Sequence, residues 1–278
     1  MIINRTNAVL TRRTALSLSI SGVAAAALAR PSARAETLER RQDLYPIFTE
    51  HGAVGTFVLF DASADRLVLV NPERGPQRFV PASTFKIVNS LIALETGAVK
   101  DADEVVPYGG KPQQIKDWEK DMPMREAIKV SNVPVYQELA RRIGLEQYRV
   151  WLDRLRYGNR EIGTVVDRFW LDGPLRISAV EQARFVALLA QRKLDASARS
   201  QAITREILRQ EEKDGAVLFA KTGWYFSTTE TSIGWWTGWV EREGRVLAFS
   251  LNIDMPKLSD APKRIEIGKA LLAKLGAY

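Results

Sequence analysis

The sequence predicts an α/β fold of the α+β type, with one sheet built from both chain ends and a helical region inserted between them. Near the start, two apolar runs flank a short polar turn and predict a β-hairpin, at residues 55–61 and 66–70. Helical periodicity dominates the middle, from about residue 113 to 210. Strand patterns then return at residues 217–222, 233–241 and 245–253. This order of strands, helices and strands predicts a single sheet.

The remaining elements follow from local patterns. An amphipathic segment at about 38–48 predicts a helix, which places His51 at a helix-to-strand junction, as a solvent-facing residue without a catalytic role. The apolar run 81–97 ends at a glycine and predicts a buried helix with a C-cap. Four further helices are predicted, at residues 135–143, 147–155, 178–191 and about 261–275.

Composition excludes several kinds of site. The 278 residues include one histidine and no cysteine. Disulfides, thiolate zinc sites, iron–sulfur clusters, a cysteine nucleophile and a multi-histidine metal site are therefore excluded. We expect no metal, and any hydrolase must activate its nucleophile by other means.

The first 35 residues predict a secretory signal peptide. They contain five arginines and no acidic residue, an apolar run at 15–29, and Ala33-Arg34-Ala35, which places small residues where a signal peptidase reads them. Arg12-Arg13 partly fits a twin-arginine signal, and the general export route stays open. A membrane anchor is the alternative, although the run is shorter than the ~20 apolar residues needed to span a bilayer.

The positive charge belongs mostly to that segment. The whole chain has a formal net charge of +7, but residues 36–278 contain 35 basic and 33 acidic residues. Such a balance does not indicate a nucleic-acid partner. We expect an exported, periplasmic chain without stable membrane insertion after cleavage.

The first candidate for chemistry is Ser83-Thr84-Phe85-Lys86, the only Ser-x-x-Lys pattern in the chain. On a helix, a three-residue spacing puts hydroxyl and amine on one face. Burial would favour the neutral amine, which can act as a base toward serine. The alternative is a capping serine beside a surface lysine.

Two more motifs accompany it. Lys221-Thr222-Gly223 ends a predicted strand, where glycine would let a ligand approach the backbone. Ser131-Asn132-Val133 lies in a helix break before Pro134, which can point a hydroxyl into a cleft. Ser178-Ala179-Val180 has the same form, but Glu181 completes a capping box, so Ser178 is predicted to be structural.

In this order, the three motifs resemble the penicillin-recognising serine acyltransferases, which include β-lactamases and penicillin-binding proteins. Tyr157-Gly158-Asn159, Phe169-Trp170-Leu171 and the valine that closes the second motif are similar to those of class D, or oxacillinase-type, serine β-lactamases. The resemblance covers essentially all of residues 36–278. It implies an antiparallel sheet subdomain from about 36–80 and 213–278, and an all-helical subdomain from about 81–212.

The resemblance also implies roles for individual residues. Ser83 would be the nucleophile, and Lys86, carboxylated by carbon dioxide or bicarbonate, the general base; no other cofactor is implied. Ser131 would relay protons and Lys221 would add positive charge. The remaining implied roles are the oxyanion hole (backbone N–H of Ser83 and Trp224), carbamate support (Val133, Trp170), substrate binding (Trp118, Thr222, Gly223, and Arg264 with Lys263 as its alternative) and cleft structure (Tyr157, Asn159).

The expected function is hydrolysis of penicillin-type antibiotics, conferring resistance, by a monomer or homodimer. Two alternatives share the motifs. A β-lactam sensor would remain acylated, but a sensor would need a membrane-spanning helix to relay its signal. A transpeptidase would be a larger chain with asparagine closing the second motif.

Overall fold

The computed structural model describes residues 36–278. The predicted signal peptide, residues 1–35 with its arginine pair, lies outside the described residues. The strands are β1 (Thr37–Arg40), β2 (Gly55–Asp61), β3 (Arg66–Val70), β4 (Arg78–Phe79), β5 (Val105–Val106), β6 (Met122–Pro123), β7 (Ile177–Ser178), β8 (Arg209–Lys213), β9 (Ala216–Tyr225), β10 (Ile233–Arg242) and β11 (Arg245–Asp254). The α-helices are α1 (Pro46–Glu50), α2 (Lys86–Glu95), α3 (Met124–Lys129), α4 (Val133–Arg154), α5 (Ala179–Ala190), α6 (Ala198–Ile207) and α7 (Lys263–Lys274).

A seven-stranded sheet joins both ends of the described chain. Its strand order is β1-β3-β2-β11-β10-β9-β8. The early hairpin β2–β3 pairs with the C-terminal strand β11, and every neighbouring pair is antiparallel except β1 with β3. The predicted fold class is therefore confirmed, including the hairpin and the three C-terminal strands.

Helices cover both faces of this sheet. Successive strand residues point to opposite faces, so Trp235 and Trp236 of β10 belong to different apolar clusters. Trp236 packs with α1 and α7, whereas Trp235 packs with α5 through Ala183. As a result, the first eight residues of β10 are all buried.

Two parts of the sequence prediction were wrong. The predicted helix at 38–48 begins as strand β1, because Thr37–Arg40 pairs in parallel with β3, and only Pro46–Glu50 is α-helical. Residues 209–213, within the region predicted to be helical, form edge strand β8. Its RQEEK sequence is exposed throughout and has no apolar alternation, so only its pairing with β9 makes it a strand.

The predicted helices in the middle of the chain are present. The predicted helices at 135–143 and 147–155 form α4, which is kinked at Gly144, where φ is 79°. Ser178 caps α5 in a complete capping box, as predicted. No helix among residues 36–278 is both long and apolar enough to cross a membrane.

Candidate active site

The Ser-x-x-Lys motif forms a 3-10 turn that leads into helix α2. Ser83 lies in the turn Ala82–Phe85, and Lys86 is the first residue of α2. Lys86 Nζ lies 2.9 Å from Ser83 Oγ. Ala82, just before the serine, has φ of 48°, which costs a non-glycine residue about 1–2 kcal/mol. The amine and hydroxyl are therefore in contact, as the spacing predicted.

Lys86 is fully buried, and the residues of α2 that follow it are buried too, as far as Leu94. Burial lowers the pKa of Lys86 well below its ordinary value, and the positive charge of Lys221 lowers it further. The ring of Tyr136 lies 5.2 Å from Nζ. The site therefore favours an uncharged amine, which can accept a proton or add to carbon dioxide.

Trp170 packs against Phe85, the residue before Lys86. Its ring stacks on Phe85 with centroids 5.5 Å apart, and Phe169 contacts both rings edge-on. Trp170 is fully buried, but its Nε1 has no hydrogen-bond partner within the described chain. An unpaired buried N–H costs about 1–3 kcal/mol, so this donor indicates a missing acceptor.

The second motif is the turn between α3 and α4. Ser131 has φ of 58°, and Val133 begins α4. Asn132 caps α4, its side chain accepting from the Val135 N–H at 3.0 Å and donating to the Trp118 carbonyl at 3.2 Å. Trp118 in turn donates from Nε1 to the Val130 carbonyl at 3.0 Å. The predicted cleft residue Trp118 is thus hydrogen-bonded to this turn through both its side chain and its backbone carbonyl.

The third motif, residues 221–223, lies in the C-terminal half of β9. Strand β8 pairs with β9 only as far as residues 216–219, with one further bond from Ala220 N–H to Leu208 O. From Lys221 onward, β9 faces the Ser83 turn instead. A Cβ placed on Gly223 would lie 2.9 Å from the Pro81 carbonyl oxygen and 3.1 Å from the Thr84 backbone nitrogen. Glycine is required here by this close approach.

Two basic side chains, Lys221 and Arg264, lie near Lys86. Burial, followed by the charge of Arg264, lowers the pKa of Lys221 to about 7. Burial lowers the pKa of Arg264 to about 10, which leaves its guanidinium charged at neutral pH. Because opposite charges attract, an anion bound beside Arg264 and Lys221 would be stabilised.

Arg264 and Lys263 have different surroundings. Arg264 Nη1 donates to the Gly223 carbonyl at 2.6 Å, whereas Lys263 pairs with Asp260 at 2.9 Å. A Cβ on Gly234 would lie 2.9 Å from the Arg264 Cδ, so the glycine at position 234 leaves room for the Arg264 side chain to cross β10. The structure therefore brings Arg264, and not Lys263, to the third motif.

Sequence reasoning missed the residues that support the Ser83 turn. Thr84 Oγ1 donates to the Pro81 carbonyl at 2.7 Å and accepts from Gln182 Nε2 at 2.9 Å. Both side chains are buried. Thr84 is the second residue of the motif, but Gln182 is an ordinary polar residue of a helix, and no local pattern could have identified it.

The two residues predicted to shape the cleft, Tyr157 and Asn159, are hydrogen-bonded to other segments of the chain. Tyr157 is buried, and its hydroxyl lies 3.4 Å from Gln182 Oε1. Asn159 donates to the Pro174 carbonyl at 2.9 Å and accepts from the Arg176 N–H at 2.9 Å, which closes the loop that carries Trp170. His51 lies 2.8 Å from the Ile47 carbonyl through Nδ1. Residues 36–278 contain no group of three or more potential metal ligands.

A family model described as the penicillin binding protein transpeptidase domain matches residues 55–273. The fold and the site thus define a serine enzyme of the penicillin-binding-protein type. Beta-lactamase OXA-48 of Klebsiella pneumoniae is 44% identical over 225 residues, 81% of this chain and 84% of that protein. Beta-lactamase OXA-5 of Pseudomonas aeruginosa is 41% identical over 231 residues, 82% of this chain and 86% of that protein.

A solved structure agrees with these relatives. FUS-1 (OXA-85), a class D β-lactamase from Fusobacterium nucleatum subsp. polymorphum, aligns with a TM-score of 0.83 and 41% identity. The alignment covers 86% of this chain and 99% of that one. The chain belongs to the class D β-lactamase family, which confirms the predicted family and enzyme class.

Proposed function

We propose that this chain hydrolyses the β-lactam ring of penicillin-type antibiotics through an acyl-enzyme on Ser83, and so confers resistance. The observation that carries the proposal is the 2.9 Å contact between Ser83 Oγ and the fully buried amine of Lys86. The relatives named as β-lactamases support the substrate class.

We further propose that Lys86 is N-carboxylated. An uncharged amine adds to carbon dioxide and releases one proton, which leaves an anionic carbamate. Two features of the chain fit this group: the depressed pKa of Lys86 and the unpaired Nε1 of Trp170, a donor ready for an anionic oxygen. Val133, at the start of α4, would contribute apolar wall. When present, the carbamate supplies the general base.

The reaction begins at Ser83. Its Oγ passes a proton to the base at Lys86 and forms a bond to the lactam carbonyl carbon, while the backbone N–H groups of Ser83 and Trp224 stabilise the oxyanion. Such preorganised donors are worth about 3 kcal/mol each. The carbon–nitrogen bond then breaks, and Ser131 relays a proton to the leaving nitrogen beside Lys221. Water then gives one proton to the base at Lys86, its oxygen bonds to the acyl carbon, and the proton passes to Ser83 Oγ as the ester bond breaks.

Substrate binding falls to the groups around the third motif. Arg264 and Thr222 would bind the substrate carboxylate, since a planar guanidinium suits a carboxylate and Arg264 already contacts Gly223. Gly223 permits the close approach of β9. Trp118, fastened beside the second motif, would form part of the cleft wall.

The experiment is turnover of a penicillin and a chromogenic cephalosporin by residues 36–278, with intact mass recorded in parallel. We expect many turnovers per enzyme and faster turnover with added bicarbonate. A persistent stoichiometric adduct on Ser83 would instead indicate a sensor or a transpeptidase. Turnover that does not respond to bicarbonate, after carbon dioxide has been removed, would reject the carbamate alone.

We also propose that residues 1–35 are an export signal, so that the catalytic domain, residues 36–278, works in the periplasm. The support is the sequence pattern of arginines, an apolar run and Ala33-Arg34-Ala35. N-terminal sequencing of protein from a periplasmic extract should begin at or near Glu36. Full-length protein in the cytoplasm would contradict this.

A further inference from the structure

Two side chains of α4 hold the loop that carries Trp170. Gln137 donates from Nε2 to the backbone carbonyl of Asp167 at 3.1 Å. Arg141 Nη1 donates to Oδ2 of the same residue at 2.7 Å. Because Gln137 and Arg141 are four residues apart, they lie on one face of the helix. Glu138 accepts from Arg141 Nε at 3.1 Å, which holds the guanidinium from its other side.

The same helix lies beside Lys86. Val133, its first residue, is four residues before Gln137, and Tyr136 places its ring 5.2 Å from Lys86 Nζ. Asp167 is three residues before Trp170, whose indole stacks on Phe85, the residue next to Lys86. One rigid helix therefore contacts Lys86 directly and, through Asp167, holds the segment that bears the indole donor.

Packing fixes the plane of the Trp170 ring. The ring is fully buried, stacked on Phe85 and met edge-on by Phe169. A hydrogen bond is far more demanding, because it weakens steeply once distance or angle departs from its optimum. The Asn159 bonds hold the C-terminal side of the Trp170 loop, and the polar bonds from α4 to Asp167 hold its N-terminal side, so both help to fix where the indole N–H points.

We propose that Gln137 and Arg141 are positioning residues that act through Asp167 on Trp170, and thereby set how tightly Lys86 retains its carbamate. The inference rests on the proposed carboxylation of Lys86. Neither side chain touches the substrate in this account. Both act on the equilibrium between amine and carbamate, and not on the chemical step itself.

The test compares a double variant, Gln137→Ala with Arg141→Ala, with the wild type. Carbamate is measured directly by ¹³C NMR during a titration with ¹³C-bicarbonate, and turnover is followed at each concentration. Loss of one hydrogen bond and one exposed ion pair should raise the bicarbonate concentration for half-occupancy about tenfold. Saturating bicarbonate should restore turnover to near the wild-type level.

The matched control is Arg154→Ala. Arg154 lies in the last turn of the same helix and forms a bidentate pair with Asp195, with both distances 2.7 Å, far along the chain from the Trp170 loop. Its loss should leave the bicarbonate midpoint unchanged. A second double variant, Gln137→Ala with Arg141→Lys, keeps the charge near Asp167 and should recover part of the shift.

Each outcome decides something. An unchanged midpoint in the double variant, or an equal shift in Arg154→Ala, would overturn the proposal. Turnover that falls and is not restored by bicarbonate would show a general structural role and overturn it as well. If the wild type shows no carbamate signal, the carboxylation of Lys86 fails first. Should the double variant not fold, Gln137→Ala alone, which keeps the ion pair, gives the same comparison.

Discussion

Gly223→Ala should damage catalysis more than stability. The added Cβ would lie 2.9 Å from the Pro81 carbonyl oxygen and 3.1 Å from the Thr84 nitrogen, whereas ordinary contacts begin at 3.4 Å. Both contacts are backbone atoms that cannot rotate away. Strand β9 must therefore retreat from the Ser83 turn by roughly half an ångström, at a cost of about 1–3 kcal/mol in folding free energy.

That retreat separates the two proposed oxyanion donors, the backbone N–H groups of Ser83 and Trp224. Loss of one such donor costs about 10²–10³ in kcat, and misplacement by about 1 Å costs about 10². We expect kcat and kcat/KM to fall together by about 10²-fold, because the donors act in the transition state. The melting temperature should fall by about 2–12 °C.

The assay is the rate of acylation by a chromogenic cephalosporin under single-turnover conditions, together with thermal unfolding. The matched control is Gly75→Ala, whose Cβ would meet the Leu69 Cδ2 at 2.8 Å, the end of a side chain that can move. This control should acylate at nearly the wild-type rate. A folded Gly223→Ala enzyme that acylates as fast as the wild type would refute the argument.

Two further predictions concern the cations. Arg264→Ala should raise KM for carboxylated substrates about tenfold to a hundredfold, since a charge-assisted hydrogen bond is worth about 1.5–3 kcal/mol. Lys263→Ala is the control and should leave KM unchanged, because the Lys263 amine pairs with Asp260. Equal effects of the two variants would reject the assignment. Burial lowers the pKa of Lys221 to about 7 and lowers the pKa of Lys86 as well. Above about pH 7 the folded state therefore binds fewer protons than the unfolded state. The free energy of unfolding should then rise with pH in carbon-dioxide-free buffer. Urea titrations between pH 7 and about 9.5 should give a smaller slope for Lys221→Met, by up to about 1.4 kcal/mol per pH unit, and equal slopes would contradict the assigned pKa.

The elements that sequence predicted best are those with strong local periodicity. The hairpin of β2 and β3 has the predicted bounds, and the capping box at Ser178 begins α5 as expected. The failures lie at the edges of the sheet. Strand β1 is a strand because it pairs in parallel with β3, and the charged strand β8 because it pairs with β9. Neither segment has a local sequence pattern that predicts a strand.

Much of the candidate site could be read from the sequence. Ser83 and Lys86 are three residues apart, and this spacing together with the two other motifs predicted that they act together; their side chains are 2.9 Å apart. For the substrate carboxylate, the sequence favoured Arg264 but left Lys263 open, because the two residues are adjacent in one helix turn. The choice depends on Gly234, which leaves room for the arginine, and on Asp260, which engages the lysine.

The sequence by itself determined the motifs, their order and hence the family, because these are properties of neighbouring residues and of residue identity. Tertiary structure decided the chemistry that those motifs can perform. Burial of Lys86 lowers its pKa, and the end of β8 pairing leaves residues 221–223 of β9 free to face the Ser83 turn. Among residues 36–278, packing leaves the Trp170 N–H without a partner. Desolvation, strand pairing and hydrogen-bond geometry depend on residues far apart in the chain, so no local pattern records them.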